Sequence, residues 1–364
     1  MKRLVFFVLF LLVIAPIAQA QDATPESTAT AEAGQATANV LTVVSHDSFT
    51  YTDAVMAKFE ADSGITVKVL RSGDAGAMVN QSILSKDNPL GDVMYGVDNT
   101  FLSRALDADL FVPYESPELA NVPAEFQIDS QHRVTPIDYG DVCINYDAKY
   151  FTDHNLALPT SLKDLTDPKY KSLLVVENPS TSSPGLAFLI ATVAAFGETG
   201  SYTYANYWAD LTNNDVYVSD GWTDAYYTQF SGSAGSTGTR PLVVSYASSP
   251  PAEVLDATPE PDSSPVGTIL ADGTCFRQIE FAGVLKGGKN PAAAQKFIDF
   301  LLSDDFQQDM PLQMYVFPVN STAKLPELFS KFAPIPAHPV EMGIDQIEAN
   351  RDKWIETWTE TVLR

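Results

Sequence analysis

The residues of this chain best suited to hold a ligand fall into four short clusters. His46-Asp47-Ser48-Phe49 is the first. Ser72-Gly73-Asp74-Ala75-Gly76 is the second. Its glycines permit close backbone approach, and Asp74 can face a cation, although the same residues also suit a plain Asp–Gly turn with a helix cap. The third is Ser180-Thr181-Ser182-Ser183-Pro184-Gly185. Serine hydroxyls and free N–H groups at a helix start can hold an anion or a polar ligand group, or Ser183 can simply cap a helix that opens at Pro184. The fourth joins Gly221-Trp222 to Ser245-Tyr246-Ala247-Ser248-Ser249-Pro250. An aromatic face over a cation contributes about 0.5–2 kcal/mol. Trp222 and Tyr246 together with Asp74 therefore describe a site for a flat, positively charged ligand with a hydrogen-bonding tail.

Catalytic signatures are absent by comparison. The four histidines, His46, His132, His154 and His338, have no zinc spacing. There is no P-loop, no dinucleotide GxGxxG and no GxSxG elbow. A Ser-His-Asp triad need not be contiguous, but no serine is marked as a nucleophile. The expectation is binding without catalysis, with no cofactor and no metal.

The clusters need strands and helices to position them. Leu41–Ser45 reads as a buried strand, Tyr51–Asp62 as a helix and Ile65–Leu70 as a second strand, a βαβ unit that implies a parallel sheet. Asp92–Val97, Leu173–Val176, Val216–Ser219 and Leu242–Ser245 read as further strands, and Pro184–Phe196 as a helix. Each polar cluster follows a strand, where open α/β sheets bind ligands. Asp138–Tyr146 and Cys275–Leu285 are two longer extended stretches. Asn290-Pro291 reads as a cap and first-turn proline, followed by Phe297, Ile298 and Leu301 on one helical face. Trp354, Trp358 and Val362 recur at helical spacing and belong to the core. Ser231–Arg240 and Pro259–Pro265 read as surface loops.

Composition narrows the partners. Forty-six acidic against 22 basic side chains in 364 residues leave a net charge of −24, so no nucleic acid is expected as partner. An anionic bilayer would be repelled as well. Residues 1–20 carry Lys2-Arg3, an apolar run and Ala18-Gln19-Ala20, the pattern of a cleaved export signal. Its removal takes the charge to −26. Residues 21–39, rich in Ala, Thr and Glu, read as a disordered linker. Cys143 and Cys275 have no metal spacing; in an oxidising compartment they suggest one disulfide, the alternative being two buried thiols.

The signal, the βαβ start and Asn290–Gln307 (NPAAAQKFIDFLLSDDFQ) resemble the extracytoplasmic solute-binding proteins of ABC importers. More narrowly, the chain is similar to the thiamine-binding subfamily. The matching stretches, in order, are HDSF (46–49), GDVMYGVDN (91–99), PIDYGDVCINYD (136–147), STSSPGLAFL (180–189), SDGWTDAY (219–226), VVSYASSP (243–250) and MYVFPVN (314–320). The resemblance implies an α/β clamp of two lobes with the ligand in the cleft. It carries ligand contacts onto Asp74, Ala75, Ser182, Ser183, Trp222, Tyr246, Ala247, Ser248, Ser249 and Tyr315. The family often has a tyrosine where His46 stands, and a tryptophan near Phe49 has no counterpart here, so one aromatic wall differs. The resemblance further implies a monomer, with thiamine, thiamine monophosphate or thiamine diphosphate as ligand and a membrane permease as partner. The two long extended stretches then become hinge crossings, with lobe one at 40–139 plus 283–364 and lobe two at 140–282. Cys143 and Cys275 would lie beside the hinge. The competing readings are the same clamp for another organic cation, a polyamine or ferric iron (Tyr226-Tyr227 being the candidate pair), an exported hydrolase, or an adhesive surface module.

Overall fold

Alternating strand and helix patterns near the N-terminus do form parallel sheet. The computed structural model describes residues 39–255, 257 and 259–364. The expected export signal, and all of the expected linker except Asn39, lie outside these residues. Strand β1 (Val40–Ser45) pairs in parallel with β2 (Thr66–Arg71) on one side and β3 (Val93–Asp98) on the other. Helix Asp53–Ser63 makes the first crossover. The short strand β4 (Phe111–Val112) follows, then β5 (Thr135–Asp147), the longest at 13 residues. Next come β6 (Leu174–Glu177), β7 (Tyr217–Ser219), β8 (Leu242–Tyr246), β9 (Val266–Ile269), β10 (Phe276–Leu285) and β11 (Phe317–Pro318).

Among the described residues these strands join one sheet, ordered β2-β1-β3-β10-β5-β8-β6-β7. Its two ends are parallel: β2-β1-β3, and β8-β6-β7. The two long strands join these halves. β10 runs antiparallel to β3 and to β5, and β5 runs antiparallel to β8. Both are buried over most of their length. The register of β10 slips between Glu280 and Phe281 against β5, and between Phe281 and Ala282 against β3. Such a bulge bends a strand and re-aims its side chains.

Helix Ser183–Phe196 is buried from Ser183 to Val193, nearly all round, as its unbroken apolar sequence requires. Helix Pro291–Leu302 buries Phe297, Ile298 and Leu301 on the expected face. Two cap expectations differ from the structure. Asn290 occupies the cap position without capping; its side-chain N–H donates to the Val40 carbonyl at 2.6 Å. Tertiary contact outcompetes the local bond there. Ser182, not Ser183, precedes the first turn of Ser183–Phe196, and the Ser183 hydroxyl instead accepts from Gln278 at 2.9 Å.

The C-terminal helix Ile344–Val362 buries Trp354 and Trp358, with Val362 half-buried against the core. It touches both ends of the sheet's helical cover. Arg351 donates to Ser103 at 3.0 Å, and Trp358 meets Trp208 edge-on with ring centroids 5.7 Å apart.

Cys143 in β5 and Cys275, one residue before β10, form a disulfide across the two long strands. The bridge spans 132 residues of sequence. Closing so long a loop removes about 5 kcal/mol of unfolded-chain entropy. The double variant Cys143→Ser/Cys275→Ser is therefore expected to melt several degrees lower than the oxidised protein in calorimetry. Identical melting temperatures would show that the bridge does not constrain the unfolded chain.

Candidate functional site

The parallel strands of both halves point their carboxyl ends at one cavity. His46 and Ser48 follow β1, and Asp74 and Ala75 follow β2. Ser183 and Pro184 follow β6, Trp222 follows β7, and Tyr246 and Ser249 stand at and after the end of β8. Glu280 enters from β10; Met314, Tyr315 and Val316 close the rim.

Asp74 does two jobs. It caps helix Ala75–Leu84, one carboxylate oxygen accepting from the Ala75 N–H at 2.6 Å. Its other oxygen accepts from the Trp222 N–H at 2.9 Å, joining β2's end to β7's. Burial raises the Asp74 pKa, against the N–H of Trp222, the Ser182 hydroxyl and the N–H of Ala75, which favour the ion. The Ser182 hydroxyl is buried beside this carboxylate and has no other partner. Beside this contact the Ala77 N–H donates to the Thr181 carbonyl at 3.1 Å. The two chains meet here because residue 76 is glycine: a Cβ there would lie 2.8 Å from the Thr181 backbone.

The aromatic wall is layered. Trp222 stacks on Tyr226 with centroids 5.1 Å apart and planes 20° apart. Tyr246 stands edge-on to Trp222 at 6.3 Å. The indole N–H donates to Ser245 Oγ at 2.9 Å, and Ser245 Oγ in turn lies 3.0 Å from Ser249 Oγ. These bonds fix the ring's tilt while leaving a face to the cavity. Tyr246 lies flat over β5 because residue 140 is glycine; a Cβ there would sit 2.9 Å from its ring. Tyr315 adopts φ 55°, a conformation that costs a bulky residue about 1–3 kcal/mol. Ser248 holds it, donating to the Tyr315 carbonyl at 2.6 Å.

The floor is acidic. Glu280 and Asp138 are directly opposite in the β10–β5 ladder, and both are buried. Like charges so placed repel. Burial first, and the Glu280 charge second, push the Asp138 carboxyl well above the carboxylate range. Asp138 therefore keeps its proton, with Tyr95 donating to its other side at 2.7 Å. Burial also lifts Asp98 to about 7, opposed by hydrogen bonds from Gln278 and Thr100. Glu177 is buried, and burial first, with nearby Asp74 second, raises its pKa well above the ordinary carboxylate range. His46 Nε2 lies 3.4 Å from a Glu280 oxygen, and its Nδ1 accepts from the Ser48 N–H at 3.2 Å. Burial lowers the His46 pKa, but the charge and hydrogen bond of Glu280 outweigh it, so the pKa ends above the ordinary 6.5. Among the described residues, no lysine or arginine lines the cavity.

Seven of the ten sequence-derived ligand contacts thus line one cavity: Asp74, Ala75, Ser183, Trp222, Tyr246, Ser249 and Tyr315. Ser182 is buried behind it. Ala247 packs against the disulfide, and Ser248 acts through Tyr315. Tyr226 and Tyr227 reach the cavity too, but the Tyr226 hydroxyl donates to Glu253 at 2.9 Å. Sequence reasoning missed Glu280. Its signal was available: a lone carboxylate inside the apolar stretch Cys275–Leu285, where a buried charge needs a reason.

A family model described as bacterial extracellular solute-binding protein matches residues 88–332. Thiamine-binding periplasmic proteins of Salmonella typhimurium and Escherichia coli are 30% and 29% identical over 330 residues, covering 89% of this chain and 94% of each relative. A solved structure of a periplasmic thiamin binding protein superimposes with a TM-score of 0.77 at 28% identity, covering 89% of this chain and 96% of its own. A cavity where the strand ends of two parallel half-sheets converge, carried on a match to more than half of the sequence, has one consequence: the chain belongs to the bacterial extracellular solute-binding proteins.

Proposed function

We propose that this protein is an exported carrier that captures thiamine and delivers it to the permease of an ABC importer. The observation that supports this most is the pairing of a stacked aromatic wall, Trp222 on Tyr226 with Tyr246 beside it, with a carboxylate floor free of lysine and arginine. A flat aromatic cation satisfies both at once, the rings by cation–π contact and the floor by charge. The similarity to thiamine-binding relatives supports the same ligand.

The work is capture without a covalent step. The halves β2-β1-β3 and β8-β6-β7 act as lobes, residues 40–139 with 283–364 and residues 140–282, hinged where β5 and β10 cross. Helix Ile344–Val362 straps both. The contacts Asp74–Trp222 and Ala77–Thr181 close the cleft, and ligand favours the closed form by touching both sides. The permease reads that closed shape. The ligand's hydroxyethyl tail, or the phosphate of its monophosphate or diphosphate, points to Ser183. That hydroxyl accepts from Gln278 and keeps its own hydrogen to donate, at the start of a 14-residue helix.

Three measurements test this reading. Trp222→Ala is expected to weaken thiamine binding at least tenfold in calorimetry, about 1.4 kcal/mol for the lost ring; unchanged affinity removes Trp222 from the site. Ser183→Ala should harm thiamine monophosphate more than thiamine, and an equal loss for both discards the tail assignment. The third concerns pH. His46 takes up its proton as pH falls through a value above 6.5, placing a cation beside the ligand's own. Asp98, titrating at about 7, gains a proton over the same range and removes a negative charge. Thiamine affinity should therefore fall about tenfold from pH 8 to 5.5, and less steeply in His46→Gln. A flat wild-type profile contradicts the assignment.

A further inference from the structure

Building on the thiamine reading, we propose that Glu280 is the charge-selecting residue of the site, its carboxylate serving as counter-ion to the ligand's cationic ring. Glu280 lines the cavity and is 7% exposed; its carboxylate meets the acid proton of Asp138 and the His46 ring. A buried carboxylate is costly unless a full positive charge arrives to meet it. Among the described residues, no lysine or arginine does so. The groups around it are His46 after β1, Tyr95 and Asp98 in β3, Asp138 in β5, Tyr246 in β8 and Asp74 at the helix start. His46 comes nearest, its Nε2 lying 3.4 Å from Oε1. Arg277, the neighbouring cation on the same strand, is held away by Asp141 at 2.7 Å.

The strand geometry accounts for the placement. Glu280 sits at the bulge of β10, directly opposite Asp138. Asp138 is occupied by Tyr95 and retains its proton, so the pair carries one negative charge, and Glu280 presents it to the cavity. A merely structural residue here would need the volume and one hydrogen bond to Asp138, both of which glutamine provides. The carboxylate adds only charge.

Calorimetric titration with thiamine and with 3-deazathiamine separates charge from shape, because a neutral thiophene replaces the thiazolium ring. Wild type is expected to favour thiamine at least tenfold. Glu280→Gln should lose that preference by weakening thiamine alone, while Glu280→Asp retains part of it. A tenfold preference surviving in Glu280→Gln overturns the proposal and leaves the thiamine reading standing. Absence of wild-type affinity for thiamine overturns that reading and this proposal with it. For a Glu280→Gln variant that does not fold, the remaining proteins decide. A wild-type preference below tenfold overturns the proposal, and a preference shared with Glu280→Asp supports it.

Discussion

Two carboxyl groups face each other across adjacent strands in the interior of this protein, and much of the site is arranged around them. Asp138 and Glu280 occupy partnered positions of β5 and β10. Two ions so placed and so buried cannot coexist, so one proton stays on Asp138. Tyr95 secures that arrangement from β3. What remains is one negative charge at the bottom of a cavity, on the strands that also carry the chain from one half-sheet to the other. The crossing strands and this charge thus share a location, where the two half-sheets meet.

The upper part of the cavity depends on that floor and on one further link. Asp74 caps a helix on one side of the cleft and binds the Trp222 N–H from the other. The same carboxylate therefore sets both the helix start and the height of the aromatic wall. Serines do the remaining alignment. Ser245 tilts the indole, Ser248 holds the strained Tyr315 backbone, and Ser183 is tied to Gln278, two residues from Glu280. Hydroxyls suit this role because each accepts and donates at once.

The strands and most helices were legible in the sequence because their hydrophobic periods are local. β1, β2, β3, β6, β7 and β8 lie within two residues of the expected positions. The capping expectations at Asn290 and Ser183 differ for a common reason. Each side chain found a partner remote in sequence, Val40 or Gln278, that local rules cannot see. Trp222 and Tyr246 were legible as aromatics at strand ends. Ala247 belonged to the same motif but lies in the turn after β8, where it packs against Cys143 and Cys275.

By itself the sequence determined the α/β class, the two long extended stretches and the clusters at strand ends. These follow from residue type and short-range spacing. Tertiary structure decided which carboxylates matter. Asp74 stood out beside a glycine turn, whereas Glu280 read as one acidic residue among 46. Its significance arises from pairing with Asp138, from the bulge that aims it, and from its place in the cavity wall. None of these is a property of local sequence, because a charge acquires its energetic meaning from what surrounds it in space.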